Sequence, residues 1–251
     1  MQKFLASCQY AILLLRKDKL SLPFIVGTTF MVIFAYMASQ WTIEDLEKIL
    51  MDLTAFGLHI FGGIVTILWG TRLFNTFSDE NPAIEFELSA PLSRGAWLTS
   101  RFIGFSLYLS ALGALFFAIW LFMFRIYDFR FFSWNMTWMF ICQISGWLSL
   151  AALTCFVSTF CRRNTALFTS FSLWVCGLLA PLGTSAEGVN PGENTFLTLF
   201  GTVWNFQRFN VVPELIESHS EVLLTLAYAA GLWVFFLGLS CMIVNKRNIY
   251  S

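Results

Sequence analysis

Long apolar runs without a charged residue alternate along this chain with shorter charged segments. The charge-free runs cover residues 20–38, 53–71, 102–124, 138–160, 165–186 and 222–245. Each run has about 19 residues or more, which makes about 28 Å of α-helix and matches the roughly 30 Å hydrocarbon core of a bilayer. A helix also satisfies its own backbone polar groups, as lipid requires. The pattern therefore predicts an all-α polytopic membrane protein with six transmembrane helices.

The first 19 residues have a different pattern. Phe4, Cys8, Ala11 and Leu15 recur at helical spacing, and lysine and arginine residues flank them. This arrangement is typical of an amphipathic helix that lies at a membrane interface. We predict such a helix over residues 1–19, on the cytoplasmic leaflet.

The composition supports a membrane protein and excludes other classes. Hydrophobic residues make up 57% of the chain and charged residues 12%, whereas soluble chains carry roughly 25% charged residues. A soluble protein of this composition could not cover its apolar surface. The formal net charge is zero, and nucleic-acid binding is not expected because it requires a basic face.

The basic residues predict the orientation of the spans. An even number of spans places both termini on one side, and that side receives most of the 15 lysine and arginine residues. Cytoplasmic segments are enriched in these residues. We therefore predict a multi-pass membrane protein with both termini in the cytoplasm.

Few residues point to chemistry within the predicted spans. The chain has no nucleophile motif, no metal-ligand spacing and no phosphate-binding loop. We predict no catalytic residue, no metal site and no cofactor bound by this chain. His59 lies within the second span, and an ionisable residue inside a membrane indicates a function by default. It is a candidate polar residue of a translocation path; the alternative is a neutral imidazole bonded to a neighbouring helix.

Two further segments predict contacts. In the third span small residues recur every four positions, a spacing that lets membrane helices approach closely; they are Ser106, Ser110, Ala114 and Ala118. The outer segment 187–221 contains the stretch 195–210, which is apolar and aromatic but too short to span. We predict a re-entrant or interfacial segment there; an ordinary surface loop is the alternative.

The predicted cytoplasmic loop 72–101 contains a candidate docking helix. Asn81-Pro82 is a typical helix start. After it, Ile84, Phe86 and Leu88 alternate with Glu85 and Glu87. A short helix with an apolar and acidic surface favours docking onto a soluble partner, although a solvated connector remains the alternative.

The same loop carries a family resemblance. Residues 85–94 (EFELSAPLSR) and 101–104 (RFIG) resemble the loop between spans two and three of ABC-2 type permeases, with its Leu-Leu-Ser-x-Pro-x-Ser-Arg stretch and Lys-x-Leu-Gly entry. The amphipathic first helix, the basic turn 161–164 and the basic tail after residue 245 are also similar, notably to six-span permeases of the nitrous-oxide-reductase maturation type. The chain departs from the family pattern at two places. Residues 79–82 are Asp-Glu-Asn-Pro, where the family usually shows Glu-Arg and Gly-Thr, and residue 101 is arginine, where the family has lysine.

The resemblance implies an ABC-2 (type V exporter-like) permease fold in the bacterial inner (cytoplasmic) membrane. The chain would be the permease subunit of an ATP-binding cassette transporter, a homodimer served by two copies of a cytoplasmic ATPase that binds ATP and Mg. The ATPase-coupling residues would be Ile84, Glu85, Phe86, Glu87, Leu88, Arg94, Arg162 and Arg163. Because the spans are rich in phenylalanine and lack acidic residues, we expect export of an apolar or amphipathic substrate. The alternatives are an assembly or regulatory subunit that contacts an ATPase without moving a substrate, and an intramembrane enzyme.

Overall fold

The computed structural model describes residues 2–19, 46–76, 93–126, 134–184, 204–210 and 219–246, together with parts of 25–37. The helices are α1 (Gln2–Lys17), α2 (Leu46–Leu73), α3 (Arg94–Ile126), α4 (Trp134–Ser158), α5 (Arg163–Thr184) and α6 (His219–Lys246). A single 3-10 turn, Gln207–Phe209, lies between α5 and α6. Within these residues all regular structure is helical.

Four helices are long and apolar enough to cross a membrane. The stretches that qualify are Asp52–Leu73, Arg94–Phe122, Met136–Ser158 and Ser220–Lys246, in α2, α3, α4 and α6. They coincide with the second, third, fourth and sixth predicted spans. The prediction of an all-helical membrane protein is therefore confirmed in its coarse form.

The predicted count of six spans is not confirmed. The first predicted span, 20–38, falls largely outside the described residues. The fifth, 165–186, coincides with α5 (Arg163–Thr184), which is not among the four qualifying helices.

Helices α2 and α3 extend furthest beyond the apolar runs that predicted them. α2 begins at Leu46 and includes Lys48 and Asp52. α3 begins at Arg94, so the last part of the predicted loop 72–101 is helical and its boundary is corrected. The prediction ended these two helices at charged residues, but a charge does not interrupt backbone hydrogen bonding. Arg101 shows this, since it is buried at 1% exposure inside α3.

Helix α4 forms the centre of the bundle, where it packs against α2, α3, α5 and α6. In α4 78% of the most apolar stretch is buried, against 28% in α6. Two glycines of α2 leave room for side chains of α4. A Cβ added at Gly62 would lie 2.0 Å from Trp147 Cε2, and one added at Gly70 would lie 2.8 Å from Thr154 Cγ2. Glycine thus allows α2 and α4 to approach closely.

Helix α1 packs along α3. Its buried face consists of Cys8, Ala11 and Leu15, three of the four residues that predicted its amphipathic face. A Cβ on Gly104 would lie 2.6 Å from the Cys8 carbonyl oxygen, so this glycine allows the contact. The face selected from the sequence therefore contacts a helix, and a second set of apolar side chains on α1 is exposed, namely Leu5, Tyr10, Leu13 and Leu14.

Candidate functional site

A buried polar cluster lies inside the bundle around His59. His59 on α2 and Gln143 on α4 are 3% and 1% exposed. His59 Nδ1 lies 3.2 Å from Gln143 Oε1. The Gln143 amide nitrogen donates to the Ala55 carbonyl at 3.2 Å and to Asn210 Oδ1 at 3.3 Å. One side-chain amide therefore joins α2, α4 and the segment after the 3-10 turn.

These contacts determine the tautomer of His59. The Ala55 carbonyl can only accept, so the Gln143 amide nitrogen faces it and the amide oxygen faces His59. Nδ1 must then carry the proton, and Nε2 of the uncharged ring keeps its lone pair. Nε2 is buried and has no hydrogen-bond partner among the residues that the structure describes. Because an unmet buried acceptor costs about 1–3 kcal/mol, the cluster has an unused capacity to accept a hydrogen bond.

The surroundings of His59 are aromatic and uncharged. The Trp174 ring of α5 lies 6.3 Å from the His59 ring, centroid to centroid. The hydroxyl of Thr54, one turn away on α2, is also buried without a partner. Arg101 is the only charged side chain that is buried as a whole in the described part of the chain; Asp52 on α2 also has one buried carboxylate oxygen, Oδ1. The residues that the structure describes also contain no group of His, Cys, Asp and Glu that could hold a metal ion.

Residues 204–210, which we call the wedge, are inserted against α4 and α5. Phe206 and Phe209 are 1% and 0% exposed. A Cβ on Gly146 would lie 2.7 Å from Phe209 Cβ, and one on Gly177 would lie 2.7 Å from Phe206 Cδ2. The Phe206 N–H donates to the Gly177 carbonyl at 3.1 Å. The wedge is thus seated in two notches formed by glycines.

Further hydrogen bonds hold the wedge in place. The indole N–H of Trp204 donates to the Leu173 carbonyl of α5 at 2.8 Å. The Asn205 N–H donates to the Tyr228 hydroxyl of α6 at 3.1 Å. Residues 204–210 belong to the outer stretch predicted to be re-entrant or interfacial, and they pack between helices; the rest of segment 187–221 lies almost entirely outside the described residues.

At the other end of α2, Arg101 and Arg72 together join three helices. Its guanidinium Nη1 donates to the Leu73 carbonyl at the end of α2 at 2.5 Å. The guanidinium carbon also lies 4.5 Å from the centroid of the Trp97 ring on α3. Next to it, the Arg72 guanidinium forms an ion pair with the Asp18 carboxylate after α1, at 2.8 Å. The end of α2, the start of α3 and the end of α1 are therefore fixed to one another.

The start of α5 and the end of α6 lie at the same end of the bundle, which we call the basic end. The Thr76 hydroxyl after α2 contacts the Thr159 carbonyl in the turn before α5, at 3.4 Å. The Gly95 N–H of α3 donates to Asn245 Oδ1 of α6 at 3.0 Å. Three predicted coupling residues lie here, Arg94, Arg162 and Arg163. The other five, Ile84, Glu85, Phe86, Glu87 and Leu88, lie outside the described residues.

The predicted small-residue stripe on α3 is only partly covered. Ser106 and Ser110 are half-buried, and the Ser106 hydroxyl donates back to the Phe102 carbonyl at 2.8 Å. Ala114 and Ala118 are exposed. A close helix contact along the whole stripe stays a prediction.

Two residues of the cluster were not singled out from the sequence. Gln143 is the single amide side chain in the run 138–160, and this position was an available signal. Asn210 gave no such signal, because it follows an aromatic stretch in a long connecting segment.

Comparison with known proteins adds no family assignment. No protein-family model matches the chain, and no curated protein sequence matches it. The functional interpretation therefore rests on the residues and their geometry.

Proposed function

We propose that this chain is the membrane permease subunit of an ABC-2 type transporter, driven by a separate cytoplasmic ATPase. The observation that carries the proposal is the joint at the basic end, where Arg101 fixes the start of α3 to the Leu73 carbonyl of α2. Residues 77–92, which contain the candidate docking helix, connect these two helix ends. A soluble partner that moves this segment would act on two apolar helices at once, as a nucleotide-dependent two-state mechanism requires.

The charge of the basic end supports a cytoplasmic location for it. Exposed or half-exposed basic side chains from five helices collect there: Arg16, Lys17, Arg72, Arg94, Arg162, Arg163 and Lys246. Positively charged ends face the cytoplasm in membrane proteins. In this proposal both termini are cytoplasmic, the membrane is the bacterial inner membrane, and a permease homodimer binds two ATPase subunits, which hold ATP and Mg.

The interior of the bundle supports an uncharged cargo. The buried groups that contact His59 or lie one turn from it are amide, carbonyl and hydroxyl groups, and the buried Asp52 Oδ1 is about 10 Å away along α2. A charged substrate would lose its hydration there without gaining a counter-ion. The proposed activity is therefore export of an apolar or amphipathic molecule.

The proposal predicts a stable complex with an ATPase. The tagged chain is purified from its native membrane in mild detergent, and co-purifying proteins are identified by mass spectrometry and assayed for ATP hydrolysis. We expect an ATPase with a phosphate-binding loop. Exchange of Phe86 and Leu88 for aspartate should abolish its recovery, because the docking helix would lose its apolar contacts.

Ser93→Asp is the matched control for this experiment. Ser93 is exposed next to the same segment, and its hydroxyl accepts from the Ala96 N–H at 3.3 Å; aspartate can serve the same capping function. This variant should retain the ATPase. Absence of any ATPase from the wild-type preparation would overturn the permease proposal. Undiminished recovery with the double variant would overturn the assignment of the docking helix.

A further inference from the structure

We propose that His59, Trp174 and the wedge form a binding site for an uncharged molecule that carries a hydroxyl or N–H donor on an aromatic or aliphatic body. The inference rests on the proposed function, since it names the class of substrate that the permease would take. It is based on the unpartnered Nε2 atom and on the groups that surround it.

The unpartnered atom of the cluster, His59 Nε2, is a hydrogen-bond acceptor. Gln143 Oε1 faces Nδ1 because the amide nitrogen of Gln143 is committed to the Ala55 carbonyl and Asn210. Nε2 is therefore left with a lone pair, and it is buried without a partner. A donor group on a ligand satisfies this atom, whereas an anion would meet a lone pair and be repelled. The Thr54 hydroxyl is also buried without a partner among the described residues, and it can donate or accept a hydrogen bond.

The walls of the site favour an apolar body. The Trp174 ring stands 6.3 Å from the His59 ring at an interplanar angle of 45°. Its indole occupies the space over Gly63, where a Cβ would lie 2.3 Å from Trp174 Cζ2. An aromatic ring binds such an indole by offset stacking or edge contact. The buried carboxylate oxygen nearest in sequence on α2 is Oδ1 of Asp52, seven residues before His59 and about 10 Å away along the helix, so the groups that contact the ring offer a cation no counter-ion.

The wedge is the element that we propose to move when a ligand enters. His59 Nε2 is closed off in this structure, so a ligand reaches it only when a covering element moves. The wedge contacts the cluster through the bond from Gln143 Nε2 to Asn210 Oδ1. The contact with His59 uses the other amide atom, Oε1. Withdrawal of the wedge therefore breaks the first contact and leaves the tautomer of His59 unchanged.

Nitrogen NMR tests the site directly. The chain has two histidines, so the variant His219→Gln, labelled with ¹⁵N-histidine in lipid nanodiscs, reports on His59 alone. We expect a protonated Nδ1 and an unprotonated Nε2. Addition of 4-phenylphenol should shift the Nε2 resonance, and 4-methoxybiphenyl, which lacks the donor, should not. A protonated Nε2, or equal shifts with both compounds, would overturn the proposal, as would the absence of any shift, which is the result expected if a buried water satisfies Nε2.

Two variants test whether 4-phenylphenol binding depends on the contacts of His59. Gln143→Leu removes the acceptor that holds the proton on Nδ1, so the proton can move to Nε2 and only part of the protein can accept from the ligand. We expect 4-phenylphenol binding to weaken about five- to tenfold, by the fraction of the competent tautomer that is lost. Gly238→Ala on α6, with nothing within 4 Å of the added Cβ, should bind the phenol like the parent protein. If an ATPase co-purifies and the phenol causes no shift, the ligand site alone fails. If the phenol causes the shift and no ATPase co-purifies, the permease proposal fails and the site stands.

Discussion

Replacement of Gly104 with alanine should release α1 from α3. The added Cβ would lie 2.6 Å from the Cys8 carbonyl oxygen and 3.0 Å from Ala11 Cβ. Because non-bonded heavy atoms settle at about 3.5–4.0 Å, the α1 backbone would have to move by about 1 Å. A backbone carbonyl cannot rotate away as a flexible side chain can. Overpacking of this kind costs about 1–3 kcal/mol, and the movement also weakens the Ser7–Ser100 contact, whose hydroxyl oxygens are 2.7 Å apart.

The thiol of Cys8 reports this release. Cys8 is 6% exposed, its Sγ lies 3.1 Å from the Ser100 carbonyl, and burial raises the pKa of the thiol. Since the thiolate is the reactive form, docked Cys8 should react slowly with N-ethylmaleimide. If labelling requires opening of α1, a cost of about 1–3 kcal/mol raises the labelling rate about 5- to 150-fold. Peptide mass spectrometry at fixed pH measures this rate for Cys8 separately from the other cysteines.

Gly238→Ala provides the control for the labelling experiment. It is the same substitution within a helix, and the added Cβ has no neighbour within 4 Å in the described part of the chain. Cys8 labelling should stay at the wild-type rate in this variant. A folded Gly104→Ala protein that labels Cys8 no faster than wild type would refute the docking of α1 on α3.

Two other predictions concern the interior of the bundle. Gly62→Ala places a Cβ 2.0 Å from Trp147 Cε2 and should destabilise the protein by about 1–3 kcal/mol, whereas Gly238→Ala should be neutral or stabilise it by up to about 1 kcal/mol. Thermal unfolding in detergent compares the two, and equal effects would argue against the α2–α4 contact. Phe209→Ala empties a fully buried position and should cost about 3–5 kcal/mol. Limited proteolysis should then cut the wedge faster, and an unchanged cleavage rate would argue against a buried wedge.

Membrane spans were the most predictable part of the fold. Bilayer thickness requires long uninterrupted apolar helices, and the runs at 53–71, 102–124, 138–160 and 222–245 each coincide with a helix that qualifies as a span. Their ends were less predictable, because the boundary of a charge-free run was taken as the boundary of a helix. Arg101 contradicts that assumption, since a carbonyl and an aromatic ring accommodate its charge inside the bundle.

Partners across the bundle could not be read from the sequence. The spacing of Cys8, Ala11 and Leu15 identifies one face of α1, but small and apolar residues suit a lipid surface and a neighbouring helix equally well. His59 stands out because a histidine inside a span is unusual. Its partner Gln143 is far away in the chain, and the contact depends on how closely α2 and α4 approach at Gly62.

Helix α2 links the two regions to which we assign functions. The Leu73 carbonyl at the basic end and His59 are about 20 Å apart along α2, at 1.5 Å per residue. Between them, the notches at Gly62 and Gly70 seat Trp147 and Thr154 of α4, so a displacement of α2 at the basic end must carry α4 with it. The wedge belongs to neither helix.

Its hydrogen bond to α4 runs from Gln143 Nε2 to Asn210 Oδ1 at 3.3 Å. Both groups are neutral, and such a bond contributes only about 1 kcal/mol. In the proposed transport cycle, movement of α2 and α4 together would strain this contact before it disturbed the His59–Gln143 pair, and the acceptor on His59 would become accessible while its tautomer stayed fixed.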